Sequence, residues 1–263
     1  MTSIVISKDG TPIAYEKLGS GTPLILVDGA LCSRSFGPMP KFASLLSENF
    51  TVVMYDRRGR GESADSMPYS PEREVEDIEA LVNEAGGSAY IFGISSGAAL
   101  ALRAAEKKIG ITKLALYEPP FVYDKTNDPP PLNHESKLKE LLAAGNRSGA
   151  VKYFMTGMVG MPSIASFVMQ LMPMWKKLKA VAHTLPYDAA VMGDFSVPIA
   201  RIASVTIPTF IAGGGKSSET LRHAVHLVAD ALPNGTLKIM ESENHNVAAS
   251  VLVPVLTDFF TQK

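Results

Sequence analysis

The chain has 263 residues, 46% of them hydrophobic and 19% charged, with a formal net charge of −1. That balance gives ample core material, and near-neutrality argues against nucleic acid or an anionic membrane as a partner. The single cysteine, Cys32, excludes an internal disulfide, no apolar run reaches the ~20 residues of a membrane span, and no secretory signal is visible. The expectation is a cytoplasmic protein acting on a small molecule.

Runs at 3–7 and 11–16 alternate in polarity and join through Lys8-Asp9-Gly10, which predicts a β-hairpin. Runs at 23–28, 50–56, 89–93 and 111–117 are continuous and apolar, as parallel strands covered on both faces should be. Between them, 71–85 carries Val75, Ile78, Leu81 and Val82 at helical spacing, and 97–108 reads as an alanine-rich helix. At Pro119 the alternation of strand and helix stops. Pro119-Pro120 and Asp128-Pro129-Pro130-Pro131 predict a connector. The stretch 134–196 then reads as helical and rich in methionine (Met155, Met158, Met161, Met169, Met172, Met174), beside the only tryptophan, Trp175. Alternation resumes with a strand at 207–212, a helix at 218–231, a strand at 236–240 and a helix at 248–260. The expected fold is α/β, a doubly wound and mostly parallel sheet of eight strands. Residues 1–118 and 200–263 form its core, and 119–199 a helical insertion.

The strand at 89–93 runs into Gly93-Ile94-Ser95-Ser96-Gly97 and straight on into a helix. A serine in such a turn is held strained and exposed, and the flanking glycines keep neighbouring side chains clear. Ser95 is the candidate nucleophile, and a serine hydroxyl needs a base. Of the five histidines, His245 follows the last predicted strand, where a loop can carry it to the carboxyl edge of the sheet. His223 and His226 fall inside a helix with no acidic or cysteine cluster to complete a metal site, and His134 and His183 lie in the insertion.

The base in turn needs a carboxylate. After Ala212 comes Gly213-Gly214-Gly215-Lys216-Ser217-Ser218-Glu219, with no aspartate. Glu118 ends the strand expected beside the nucleophile's and is the candidate acid, with Glu219, Glu243 and Asp194 as alternatives. Developing negative charge requires backbone donors, and the expected pair is the amides of Ser96 and Ala30. The Asp28 carboxylate then has to point away from them, into a structural hydrogen-bond network. Cys32 sits in no nucleophilic motif and reads as a packing residue.

With this nucleophile turn and the order Ser…Glu…His, the chain resembles the α/β-hydrolase superfamily over nearly its full length. The stretch Tyr55-Asp56-Arg57-Arg58-Gly59-Arg60-Gly61-Glu62-Ser63 is similar to the family's Asp-x-Arg-Gly-x-Gly-x-Ser turn, a structural mark there. The resemblance implies Ser95 as nucleophile, His245 as base, the Ala30 and Ser96 amides as oxyanion donors, and residues 119–199 as a cap. Asp28-Gly29 stands where His-Gly is usual, and Asn244-His245 where Gly-His is usual. The acid after the seventh strand is missing, and Glu118 would supply one after the sixth, as in some members. The expected activity is a cap-bearing carboxylesterase, without cofactor or metal, cleaving small to medium apolar esters through an acyl-enzyme. The methionines would line an adaptable apolar wall or simply pack the cap helices. The same residues would serve C–C or lactone hydrolysis or perhydrolysis, and a ligand receptor on the same shell is the alternative from another class.

Overall fold

The computed structural model describes residues 1–123 and 133–262. The run Asp128 to Pro131 lies outside the described residues. Strands β1 (Ser3–Ile6) and β2 (Pro12–Leu18) form the expected antiparallel hairpin. At its turn the Gly10 amide donates to the Ser7 carbonyl, and Gly10 has a φ of 86°, where a Cβ would be strained. Strands β3 (Pro23–Val27), β4 (Thr51–Tyr55), β5 (Ala89–Ile94), β6 (Ile111–Tyr117), β7 (Thr209–Gly214) and β8 (Gly235–Met240) complete the sheet. The eight strands lie in the order β1-β2-β4-β3-β5-β6-β7-β8. β2 pairs antiparallel with both β1 and β4, and all the other pairings are parallel. The chain moves outward from β3 to β4, then crosses back to β5 on the other side of β3. The order of the strands therefore reverses at β3 and β5, whose carboxyl ends frame a crevice.

The period of two along each strand divides the core into two layers. Leu24, Leu26 and Phe92 face α1 (Met39–Leu46) and α11 (Ala249–Thr261), packing on Phe42, Leu252 and Phe260. Ile25, Val27 and Ile91 face the opposite way, toward α2 (Pro71–Glu84), α3 (Ser96–Glu106) and α10 (Glu219–Ala231). The residues that predicted α2 (Val75, Ile78, Leu81 and Val82) are all buried there. Helix α1 has no counterpart in the sequence expectation. Pro40 sits in its first turn, where a missing N–H costs no intrahelical bond. Strand β7 starts two residues later than expected, beyond Pro208, which has no amide to give the ladder. It also ends two residues later, so Gly213 and Gly214 belong to the strand.

Between β6 and β7 the chain forms α4 (His134–Ala143), α5 (Arg147–Tyr153) and a π-helical stretch, Phe154–Met158. It continues through α6 (Ser163–Gln170), α7 (Met174–Ala180), α8 (Leu185–Met192) and α9 (Ile199–Ile202). These helices own a third apolar cluster around Leu138, Val151, Trp175, Leu178 and Leu185, joined from the loop after β3 by Leu31. Met155, Met158 and Met169 pack against that cluster, whereas Met172 is exposed. Among the described residues no helix is long and apolar enough to cross a membrane.

Candidate active site

β5 ends at Ile94 and α3 begins at Ser96, so Ser95 makes the whole strand-to-helix turn by itself, with φ 56° and ψ −129°. A non-glycine residue stays in that region only where its surroundings over-determine it. The Ser95 amide donates to the Tyr117 carbonyl on β6 at 2.9 Å, and the Ser95 carbonyl accepts from Ala98 at 2.9 Å and Ala99 at 3.3 Å. A Cβ on Gly93 would lie 2.6 Å from the Gly97 carbonyl oxygen, and one on Gly97 would collide with the carbonyls of Val27 and Asp28. Both glycines are required by close approach. The serine itself is half-buried.

From the loop after β8, His245 Nε2 lies 3.2 Å from Ser95 Oγ. Its Nδ1 lies 2.7 Å from Glu118 Oε2. The imidazole is 36% exposed, while Glu118 is 0% exposed. Glu118 stands immediately past β6 with a φ of 47°, so this turn too holds a side chain in the left-handed region. Its Oε1 accepts from the Gly214 amide at 2.7 Å, and its own amide donates to Ala212 at 3.0 Å. The Tyr117 hydroxyl donates to the Asn244 carbonyl at 2.6 Å, tying the histidine loop to β6. A Cβ on Gly214 would come within 2.6 Å of both the Asn244 Cα and the Glu243 carbonyl oxygen. The glycine end of β7 thus leaves room for the histidine loop and gives its amide to a carboxylate arriving from β6.

The alternative residues lie elsewhere. Glu219 is exposed on the first turn of α10, Glu243 Oε2 accepts from the Ala248 amide, and Asp194 Oδ1 accepts from Ser196. His223 and His226 are exposed on α10. His134 Nδ1 pairs with the Tyr153 hydroxyl at 2.8 Å, and His183 Nε2 lies 3.8 Å from Asp65. Among the described residues no group of three His, Cys, Asp or Glu side chains is arranged to hold a metal.

The loop after β3 rests on the serine: a Cβ on Gly29 would lie 3.2 Å from the Ser95 Cβ. Ala30 follows, half-buried, and Leu31 turns the chain with a φ of 62°. Asp28 is less well accommodated than a structural network would make it. Oδ1 accepts from the Gly29 amide at 2.8 Å, while buried Oδ2 meets no nitrogen or oxygen donor among the described residues and is left with the weak thiol donor of Cys32. Burial pushes this carboxyl up to about 7, against the Gly29 bond and the Arg60 charge. Burial, followed by the Asp28 charge, also pushes the Cys32 thiol well up, which suits packing rather than a reactive thiolate.

Sequence reasoning gave the turn at 55–63 no more than a structural part and missed what it holds. Arg57, Arg58 and Arg60 are all buried, at 2% exposure or less. Arg57 grips Glu74 through two bonds of 2.6 and 2.8 Å, and Arg58 grips Asp77 at 2.6 and 2.9 Å. A signal was present: Glu74 and Asp77 share the face of α2 that carries Val75, Ile78 and Leu81. Acids on an apolar helix face imply buried cations opposite.

The alpha/beta hydrolase family model matches residues 19–253. An alpha/beta hydrolase from Sphaerobacter thermophilus DSM 20745 is similar in structure, with a TM-score of 0.91 and 49% identity, over 98% of this chain and 100% of that one. An esterase from Exiguobacterium antarcticum has a TM-score of 0.77 over 100% of both chains, and at 18% identity that likeness is one of fold. The uncharacterized hydrolase YraK of Bacillus subtilis (strain 168) is 37% identical over 100 residues, a match spanning 35% of this chain and 35% of that protein's length. On the family match and on the topology described above, the chain belongs to the alpha/beta hydrolase family.

Proposed function

We propose that the chain is a serine carboxylesterase for small to medium apolar esters, with Ser95 as nucleophile, His245 as base and Glu118 as the acid. The observation that carries this reading is the unbroken relay from Ser95 Oγ to His245 Nε2 at 3.2 Å and from His245 Nδ1 to Glu118 at 2.7 Å. In the reaction, Ser95 Oγ bonds to the ester carbonyl carbon while Nε2 takes its proton. Glu118 accepts from Nδ1–H, which fixes the tautomer that leaves Nε2 free and stabilises the imidazolium. The carbonyl oxygen, now negative, rests on the Ala30 and Ser96 amides. Collapse breaks the bond to the alcohol, which leaves with the proton from Nε2. Water then gives a proton to Nε2 and attacks the acyl-serine, and a second collapse releases the acid and returns the proton to Ser95. Residues 119–199 act as a cap, with Leu31 joining their apolar cluster to the loop beside the serine.

An alkyl fluorophosphonate tests the reading directly, since Ser95 Oγ would displace fluoride at phosphorus and stay labelled. Wild-type protein should label and hydrolyse p-nitrophenyl butyrate, and Ser95→Ala should lose the label and about 10⁴-fold or more of kcat. Wild-type protein that takes no label would favour the receptor reading instead.

A further inference from the structure

The buried ion network beneath the nucleophile turn is completed from the insertion. Asp188, on α8 and 1% exposed, receives hydrogen bonds at Oδ1 from Arg57 Nη1 at 2.8 Å and from Ser96 Oγ at 2.8 Å. Its Oδ2 receives one from Arg60 Nη2 at 2.7 Å. The same guanidiniums reach the other side of the site, where Arg60 Nη1 donates to the Gly29 carbonyl at 2.7 Å and Arg57 Nη1 to the Asp28 carbonyl at 3.3 Å. Glu74 takes the rest of Arg57, so two guanidiniums face two carboxylates and the charges cancel. The Tyr69 and Tyr187 rings stack 3.8 Å apart beside it, and the Tyr69 hydroxyl donates to Glu74 and to the Tyr187 carbonyl.

We propose that Asp188 is a positioning residue for the oxyanion donors. Through Ser96 Oγ it holds the residue whose amide follows the nucleophile, and through Arg57 and Arg60 it holds the carbonyls of residues 28 and 29, which precede the Ala30 amide. The inference rests on the esterase reading and deepens it. The two donors are carried on separate loops, and their spacing is set by a carboxylate that neither loop contains. The insertion therefore contributes to stabilising the oxyanion as well as to covering the substrate. Burying two ion pairs is costly, and a single apolar side chain in place of Asp188 would strand Arg60 without a carboxylate.

Ser96→Ala severs the Ser96 Oγ bonds to Asp188 and from Arg57 and leaves the Ser96 amide in place; Asp188→Asn removes the charge that holds both arginines. Each is measured for kcat and KM on p-nitrophenyl butyrate and for inhibition by phenylboronic acid, whose tetrahedral adduct on Ser95 puts an oxygen where the oxyanion would sit. Donors moved out of line should lower kcat about tenfold and weaken the boronic acid by a similar factor, with KM changed less than twofold. A residue that only supports folding would lower Tm without that split. If Asp188→Asn does not fold, Ser96→Ala decides alone. Wild-type kcat in a folded variant, a rise in KM alone, or unchanged boronic acid affinity overturns the inference. Wild-type protein that neither hydrolyses the ester nor takes the fluorophosphonate label overturns the esterase reading itself, and this inference with it.

Discussion

Glu118 uses both oxygens of a fully buried carboxylate, one on the Gly214 amide and one on His245. Replacing it with glutamine tests whether its charge and acceptor geometry serve the reaction. Glu118→Gln keeps an acceptor for Gly214 but turns an amide N–H toward Nδ1, which selects the imidazole tautomer with its proton on Nε2. That nitrogen then cannot take the Ser95 proton. We expect kcat to fall by about 10³–10⁴ with an unchanged circular dichroism spectrum; near-wild-type turnover would move the acid's role to another carboxylate. That Ser95, Glu118 and His245 would come together was legible because the first two directly follow recognisable strands and the third lies in the loop after one. The local signal for Ser95 is the strongest, since its own φ and its glycine neighbours are fixed by strand, turn and helix together. The arginines at 57, 58 and 60 were legible only in part, since Glu74 and Asp77 on α2 hinted at buried cations but nothing pointed to Asp188. Asp188 lies 131 residues from Arg57, and only the packed fold brings it to Arg57 and Arg60.

At the scale of elements, the end of β7 bears on where the proposed acid comes from. The sequence reading found no aspartate there and had no reason for it. At position 214 the structure supplies one, because the histidine loop passes so close that any side chain there would meet backbone atoms of residues 243 and 244. Backbone cannot swing aside as a side-chain tip can. Gly214→Ala should therefore push the loop and His245 off line, lowering kcat by about tenfold or more, since misplacements near 1 Å cost that much and above. Gly213→Ala is the matched control. The nearest atoms to a Cβ there are the Val225 methyls, at 3.2 Å, and these can yield. Equal activities in the two variants would sink this account of β7. The helices of the insertion were legible as helical but not in their limits, because α4 to α8 are short and close their cluster through contacts among themselves rather than through a long amphipathic stripe. The start of β7 was misplaced for a simpler reason: Ile207 and Pro208 look like strand residues by hydropathy, but proline has no N–H to pair.

Over the whole molecule, buried charge should leave its mark on how stability varies with pH. Burial would raise the Glu74 and Asp188 carboxyls, but the arginines outweigh it and hold both below the ordinary range. A depressed carboxyl contributes stability that is complete above its unfolded pKa near ~4 and is lost as pH falls through its folded value. Asp28 has the opposite sign. Raised by burial to about 7, it keeps its proton in the folded state while the unfolded chain has already released it, so stability falls as pH rises from about 4 to about 7 and then levels off. His134 and His183, lowered by burial, work against that trend near neutrality. Comparing wild type with Asp28→Asn cancels the histidine contribution, which both proteins share. Asparagine keeps an oxygen for the Gly29 amide, but its unpartnered nitrogen can make it the less stable protein at pH 5. The quantity to compare is the change between pH 5 and pH 8. Ionising Asp28 over that interval costs about 2–3 kcal/mol, at 1.36 kcal/mol per pKa unit, equivalent to roughly 5–10 °C in Tm for a chain of this size. Wild type should lose that much more than Asp28→Asn in thermal unfolding followed by circular dichroism. Equal losses in the two proteins would mean that the Asp28 carboxyl is already ionised in the folded state at pH 5.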